Sequence, residues 1–289
     1  MHFENGKVGF YTRRGKVNGK LNENGNRPLV SVVMPAYNAE RFITKAMESA
    51  LNQTIEDIEL IVVDDCSHDN TCELVEKLGQ RDPRVRLVRN ERNLGVAKSR
   101  NRGFEACRGS YVALLDSDDV WYPMKLEKQL ALARREEADI VYCSYAMVNE
   151  EDAKICSDFI VPEKTDLNRM LAKNVISCST VLMTGETVRQ QSFSTKYYHE
   201  DYVYWLQLLG QGKKAVGVPE VLAAYRVYAN TRASNKIRSA KYRWHIYREY
   251  MKFPRWKCAY CFLRYAFSGA VKYRGMVSRR VRHPRGVHS

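Results

Sequence analysis

Long apolar runs are missing from this chain: nowhere do eighteen uncharged apolar residues follow one another, so no segment is expected to span a bilayer. Residues Met1 to Arg27 lack the apolar centre of a secretory leader. They are rich in Gly, Asn, Lys and Arg, which reads as a disordered tail, 1–27, outside the fold. No G-x-G-x-x-G follows the first apolar run, which argues against a dinucleotide oxidoreductase. The eight cysteines are scattered, and Cys258-x-x-Cys261 has no second pair or spaced histidines beside it. A zinc site is therefore not expected, and free buried thiols in a reducing cytoplasm are the default. Acidic residues are nearly absent from the last fifth. Residues 231–289 hold sixteen of the 47 Lys and Arg but only Glu249 of the 33 acids, a balance of about +15. The rest holds thirty-one basic against thirty-two acidic groups, so the formal net charge of +14 belongs to one segment.

What is present is a chain of 289 residues that is 45% hydrophobic, enough for one large α/β domain plus an appendage. Val30 to Met34, closed by Pro35, is a buried strand, as are Ile58 to Val63, Val85 to Val88, Tyr111 to Leu115 and Ile140 to Tyr145. Between them Asn38 is expected to cap a helix, and Asn70 with Glu73 resembles a capping box for a helix through Leu78. Leu94 to Cys107 is a third helix, and Pro123 opens a fourth toward Ala138. Repeated β-α units with short connections predict a mainly parallel sheet with helices on both faces. Composition shifts near Tyr228, which divides the chain into a domain of 28–230 and an extension of 231–289.

Acidic residues recur where this pattern turns over: Glu40, Asp64-Asp65, Asp116-Ser117-Asp118-Asp119 and Glu200-Asp201. Carboxyl ends of parallel strands form the rim where open α/β sheets bind ligands. Like charges gathered there call for a positive partner, most simply a divalent metal. If the strand continued through Asp116 and Asp118, their side chains would point to one side, suited to Mg²⁺ or Mn²⁺. The bland alternatives are ordinary. Asp116 to Asp119 could complement the dipole of the following helix, Asp64-Asp65 could close a turn with Ser67 and Asp69, and Glu200-Asp201 could begin a helix. His199 is better placed as a neighbour than as a ligand, and Trp205 fits a core stripe as well as an acceptor platform.

Taken together, Ser31-Val-Val-Met-Pro-Ala-Tyr-Asn38, Ser49-Ala-Leu-Asn-Gln-Thr54, Glu59-Leu-Ile-Val-Val-Asp-Asp-Cys-Ser67, Asn93-Leu-Gly-Val-Ala97 with Arg100-Asn101, and Gly109-Ser-Tyr-Val-Ala-Leu-Leu-Asp-Ser-Asp-Asp119 resemble glycosyltransferase family 2. The likeness is to bacterial enzymes of capsular, teichuronic-type or lipopolysaccharide synthesis, over about residues 29 to 230. It implies a GT-A fold, a UDP-sugar-type donor, Mg²⁺ or Mn²⁺, and inversion at the anomeric carbon. By position, Pro35, Ala36, Tyr37 and Glu40 would line the nucleotide pocket, with Tyr37 near the base, and Asp65 would meet uracil or ribose. Ala97 and Arg100 would flank the nucleotide. Asp116 and Ser117 would lie at the ribose and diphosphate, and Asp118, with Asp116, at the metal. Asp201 would be the general base, with Glu200 beside it. Cys66 stands where many relatives carry a polar residue or Gly, and is expected to affect its turn little.

In the extension, Ile237, Ala240, Trp244, Tyr247 and Met251, then Trp256, Tyr260, Leu263 and Phe267, recur at helical spacing among Lys and Arg. This favours basic helices on an anionic membrane surface, serving a lipid-linked acceptor, over nucleic-acid binding or packing on the catalytic domain. A peripheral cytoplasmic enzyme is the resulting expectation. Two further readings stay open. A sugar-phosphate nucleotidyltransferase would carry a Gly-rich basic loop after the first strand, where Pro35 to Asn38 stands. An inactive scaffold of the same fold would have less reason to keep these acids.

Overall fold

The computed structural model of the protein describes residues 27–228 and 236–280. The expected tail up to residue 26, and residues 229–235 and 281–289 of the extension, lie outside the described residues.

Val30–Ala36 forms β1 and Ile58–Asp64 forms β2, and every residue of both is buried. Near-continuous β-branched and apolar runs of this kind suit strands covered on both faces. With β3 (Val85–Arg89) and β4 (Tyr111–Leu114) they form a parallel set in the order β3-β2-β1-β4. The helices α1 (Ile43–Leu51), α2 (Thr71–Gly79) and α3 (Val96–Ala106) supply the crossovers.

The second half mixes directions. It runs β5 (Val120–Trp121), α4 (Lys125–Glu136), β6 (Ile140–Val148), β7 (Lys164–Thr165), α5 (Leu167–Ala172), β8 (Leu182–Thr184), α6 (Gly185–Gln190), α7 (Glu200–Gly210) and β9 (Ala215–Arg226). β8 lies antiparallel between β4 and β6, β9 runs parallel to β6, and β5 and β7 pair antiparallel with β9. The parallel arrangement read from the β-α repeats thus holds for the first four strands and the β6–β9 pair. β5, β7 and β8 are too short to show a period. β9 contains Gly217 and Pro219, and its pairing with β6 slips register around Ser144, which hides its alternation.

Alternate residues of β1 feed two cores. Val30, Val32 and Met34 pack with Ile43 and Met47 of α1 and Leu126 and Leu130 of α4. Val33 packs on the other side with Leu114, Tyr142, Phe104 of α3 and Trp205 of α7. Trp205 is therefore core and not an acceptor platform. A Cβ on Gly103 would fall 2.2 Å from Val33 Cγ1, so only glycine lets α3 lie this close to β1. That approach sets the position of Arg100, one turn earlier on the same face.

The basic segment is helical: α8 (Lys236–His245), a π-helical turn (Ile246–Tyr250) and α9 (Arg255–Arg280). Ile246, Tyr247, Cys258 and Cys261 are buried in the same core as α5 and α7. The Tyr247 hydroxyl donates to the Leu171 carbonyl, and the Arg243 guanidinium lies 4.0 Å from the Tyr202 ring and 4.2 Å from that of Tyr265. Cys258 and Cys261 serve as the small packing residues expected, and all eight cysteines are free. Among the described residues no helix is long and apolar enough to cross a membrane.

Two expected caps differ. Asn38 lies five residues before α1, with φ 48°, and its Oδ1 accepts the His68 N–H at 2.9 Å. At α2 the capping bonds come from Asp69, whose Oδ1 accepts from Thr71 N and Oγ1, while the Asn70 side chain donates to Glu40. The loops after β1 and β2 lie side by side on the rim, so their polar side chains bond across rather than along the chain.

Cys66 also differs from expectation, because its φ of 65° is left-handed. This conformation lets Asp64 accept the Ser67 N–H while Asp65 turns the other way, and it costs a non-glycine residue about 1 kcal/mol. Cys66→Gly is expected to raise stability by up to about 1 kcal/mol, less the greater freedom of glycine in the unfolded chain. A higher urea midpoint at unchanged slope is the readout, and an unchanged or lower midpoint contradicts it.

Candidate active site

The carboxyl ends of β1, β2 and β4 share one rim. Ala36 pairs with Asp64, and the Asp65 N–H donates to the Ala36 carbonyl at 2.8 Å. Tyr37 emerges exposed at the end of β1, above the buried Pro35 and Ala36. Glu40 Oε2 accepts from both the backbone and the side chain of Asn70, so its carboxylate joins the two neighbouring loops.

Asp65 does not hang free at the strand end. Its oxygens accept from Asn90 Nδ2 (2.6 Å), Leu94 N (2.8 Å) and Gly95 N (2.7 Å). It braces the loop entering α3, whose first turn presents Ala97 and then Arg100. Gly95 makes the required bend with φ 84°.

Arg100 is buried and joins two acids from distant parts of the chain. One Nη donates to Asp116 Oδ1 at 2.7 Å and the other to Glu200 Oε1 at 3.0 Å. Burial disfavours the cation, but Asp116 and Glu200 outweigh it and hold the Arg100 pKa well above its ordinary value. The Phe193 ring lies 5.3 Å from the guanidinium. Glu200 opens α7, as expected, and the partly exposed Asp201 follows it on the first turn.

The extended geometry expected for Asp116 and Asp118 is not found. β4 ends at Leu114, and residues 115–119 form the turn into β5, so the two carboxylates take different partners. Asp116 points to Arg100, whereas Asp118 Oδ2 accepts the Tyr228 hydroxyl at 2.8 Å. The helix-capping alternative fails too, because α4 begins only at Lys125. Ser117 sits between the two acids at the tip of the turn, and Ser179 Oγ accepts the Asp116 N–H at 3.0 Å. Asp119 is buried: Oδ1 accepts the Arg226 N–H, and Oδ2 accepts no hydrogen bond.

Burial, and then the charge of Asp116, push the Asp118 carboxyl up, while burial and both neighbouring acids push Asp119 well above the carboxylate range. This turn is short of positive charge. Among the described residues no group of three or more His, Cys, Asp or Glu is arranged to hold a metal by itself. Hard oxygen donors that fill only part of a shell fit Mg²⁺ or Mn²⁺, which keep positions for water and diphosphate oxygens.

Arg226 and Tyr228 escaped the sequence reading. Arg226 Nε donates to the Asp118 carbonyl at 2.9 Å, and its Nη groups reach the Asn149 carbonyl and Asp152, with the Phe42 ring 4.4 Å away. Both lie more than a hundred residues beyond the turn they serve, so no local spacing marks them.

A β3-β2-β1-β4 parallel core extended by mixed strands, with acids on one rim, is the arrangement that the resemblance to GT-A glycosyltransferases implied. The chain belongs to glycosyl transferase family 2, whose profile matches residues 31–184. It is 36% identical to TuaG of Bacillus subtilis strain 168, a glycosyltransferase named for teichuronic acid biosynthesis, over 86% of this chain and 98% of that one. It is 33% identical to WfgD of Escherichia coli, a UDP-Glc:α-D-GlcNAc-diphosphoundecaprenol β-1,3-glucosyltransferase, over 85% and 95% of the two chains. Among solved structures, residues 1–349 of TarS from S. aureus, in complex with UDP-GlcNAc, superpose with a TM-score of 0.63 at 21% identity, covering 76% of this chain and 64% of that one. The mannosyltransferase PcManGT of Pyrobaculum calidifontis, with GDP-Man and Mn²⁺, gives 0.61 at 18% identity, over 82% and 69%.

Removing the bridging cation leaves two carboxylates facing each other. Arg100→Met is expected to cost about 3–5 kcal/mol in urea denaturation, the range for a broken buried ion pair. Adding Glu200→Gln should recover part of that loss. Equal stability of the single and double variants would show that the bridge carries no such strain.

Proposed function

We propose that this glycosyltransferase moves a sugar, with inversion, from a UDP-sugar to a hydroxyl of a lipid-linked glycan in the synthesis of a cell-surface polysaccharide. One observation carries this reading. Arg100 ties Asp116, on the proposed donor-side turn, to Glu200, the residue before Asp201, which supports donor acids and a candidate base working at one part of the rim. The printed activity of WfgD supports a UDP-sugar donor and a diphosphate-linked lipid acceptor, and the UDP-GlcNAc complex of TarS supports the former. The lipid acceptor puts the work at the inner face of the cytoplasmic membrane, with the exposed side of α9 toward it.

In this reading the exposed Tyr37 ring stacks on the base above Pro35 and Ala36, with Glu40 at the edge. Asp65, through the loop it braces, sets the ribose and uracil position, and Ala97 and Arg100 flank the nucleotide. Asp116 and Ser117 would lie at the ribose and diphosphate, and Asp118 with Asp116 would hold Mg²⁺ or Mn²⁺; the Mn²⁺ complex of PcManGT supports such an ion. When bound, the cation offsets charge growing on the departing β-phosphate. Direct displacement needs a base at the acceptor hydroxyl, on the sugar face opposite the leaving group. Glu200 is committed to Arg100, which leaves the carboxylate of Asp201 to take that proton. Inversion follows from a single displacement.

Asp201→Asn is expected to nearly abolish transfer while UDP affinity stays within a few-fold of wild type, because the base acts only in the chemical step. Asp118→Ala should instead weaken UDP binding, measured by calorimetry with and without Mn²⁺. Normal turnover by Asp201→Asn would remove the base assignment. No UDP release by the wild-type enzyme from any candidate UDP-sugar would favour an inactive scaffold.

A further inference from the structure

α9 has two unlike faces. Cys258 and Cys261 are buried against the core that contains Met170, Leu171 and Tyr247, with Phe262 partly buried beside them. On the outer face Trp256, Tyr260, Leu263 and Phe267 are 71, 57, 68 and 73% exposed. At 100° per residue these four fall within about 60° of one another, a stripe roughly 16 Å long. Lys257 and Arg264 stand about a quarter-turn to one side of it and Arg255 about a quarter-turn to the other. The Arg264 guanidinium lies 5.7 Å from the Tyr260 ring, and Lys257 Nζ lies 4.0 Å from that of Phe253. No Asp or Glu follows Glu249, while six Lys and Arg follow Phe267.

From this arrangement we infer that the outer stripe of α9 is the surface by which the enzyme seats on an anionic lipid bilayer, with the helix lying along the interface and not through it. The inference deepens the reading of a lipid-linked acceptor and rests on it for its purpose. Large apolar side chains gathered on one stripe and flanked by cations match an acyl boundary beneath phosphate headgroups. The opposite face already packs on the protein, so α9 presents a single orientation to the leaflet. Charge selects the occupant: a segment of about +15 without an acid after Glu249 is attracted to anionic lipid. RNA offers charge but no hydrocarbon for Leu263, which is exposed at the middle of the stripe.

Because α5 and α7 pack in the same core as Cys258 and Cys261, seating α9 also sets the height of α7, which carries Asp201, above the leaflet. The stripe is therefore a positioning surface for a membrane-held acceptor.

The test is flotation of the full chain with vesicles of phosphatidylcholine alone, or of equal parts phosphatidylcholine and phosphatidylglycerol. Wild type and the triple variant Trp256→Ser, Leu263→Ser, Phe267→Ser are compared, with polyuridine RNA as a parallel arm. Wild type should float with the mixed vesicles and not with phosphatidylcholine alone, and the triple variant should lose about tenfold or more of that partitioning. Its thermal midpoint and its UDP release from a UDP-sugar without lipid should match wild type, which separates a lost surface from a lost fold. If the triple variant fails to fold, Phe267→Ser alone, at the far end of the stripe, is read in its place. Flotation of the variant equal to wild type overturns the inference, as does binding of polyuridine in preference to vesicles or stripe-dependent dimerisation without vesicle binding. Wild type that releases UDP but does not float sinks the docking surface alone. Wild type that floats but releases no UDP sinks the sugar-transfer reading alone.

Discussion

The rim of this enzyme depends on one buried cation. Arg100 reaches from α3 to the turn after β4 and to the first residue of α7, and without it Asp116 and Glu200 would face each other as like charges in a poorly solvated space. Its place is set by backbone packing: Gly103 lets α3 press onto Val33, and Asp65 anchors the loop that starts the helix. Three parts of the chain that meet only in the folded state are held in register by two hydrogen bonds from one guanidinium.

The same rim remains electrostatically incomplete. Arg100 answers Asp116 and Glu200, yet Asp118 and Asp119 keep raised pKa values, and Asp119 has an oxygen without a partner. Arg226 and Tyr228 close over this turn, Arg226 donating to the Asp119 carboxylate and the Asp118 carbonyl and the Tyr228 hydroxyl to the Asp118 carboxylate, without cancelling the effect of burial on either acid. A turn of this kind favours a partner that brings positive charge.

The excess positive charge of the protein lies elsewhere, in residues 231–289, and the described helices of that segment share a core with α5 and α7. Tyr247 and Arg243 join that core through Leu171 and Tyr202, so the described part of the extension packs with the helix bearing Asp201. Two kinds of charged surface result: acids on the strand rim, and cations flanking an apolar stripe on α9.

Much of this was legible in sequence because it is local. The buried runs of β1, β2 and β4, the helices between them and the acids at their ends follow from periodicity and composition within windows of about ten residues. Family motifs then added roles that no spacing could supply. Tertiary contact alone decided the rest. Asp116 and Asp118 take different partners because their turn must reach β5, Asp65 gives its hydrogen bonds to the next loop, and Cys66 adopts a left-handed conformation at the turn where Asp64 accepts the Ser67 N–H. Arg226 and Tyr228 became visible only once β9, with its Pro219 and shifted register, was placed beside β5 and β6. The sequence by itself determined which segments bury and where charge accumulates. Which carboxylate meets which cation was decided by the fold, since hydrogen bonds between residues a hundred positions apart leave no periodic trace in the chain.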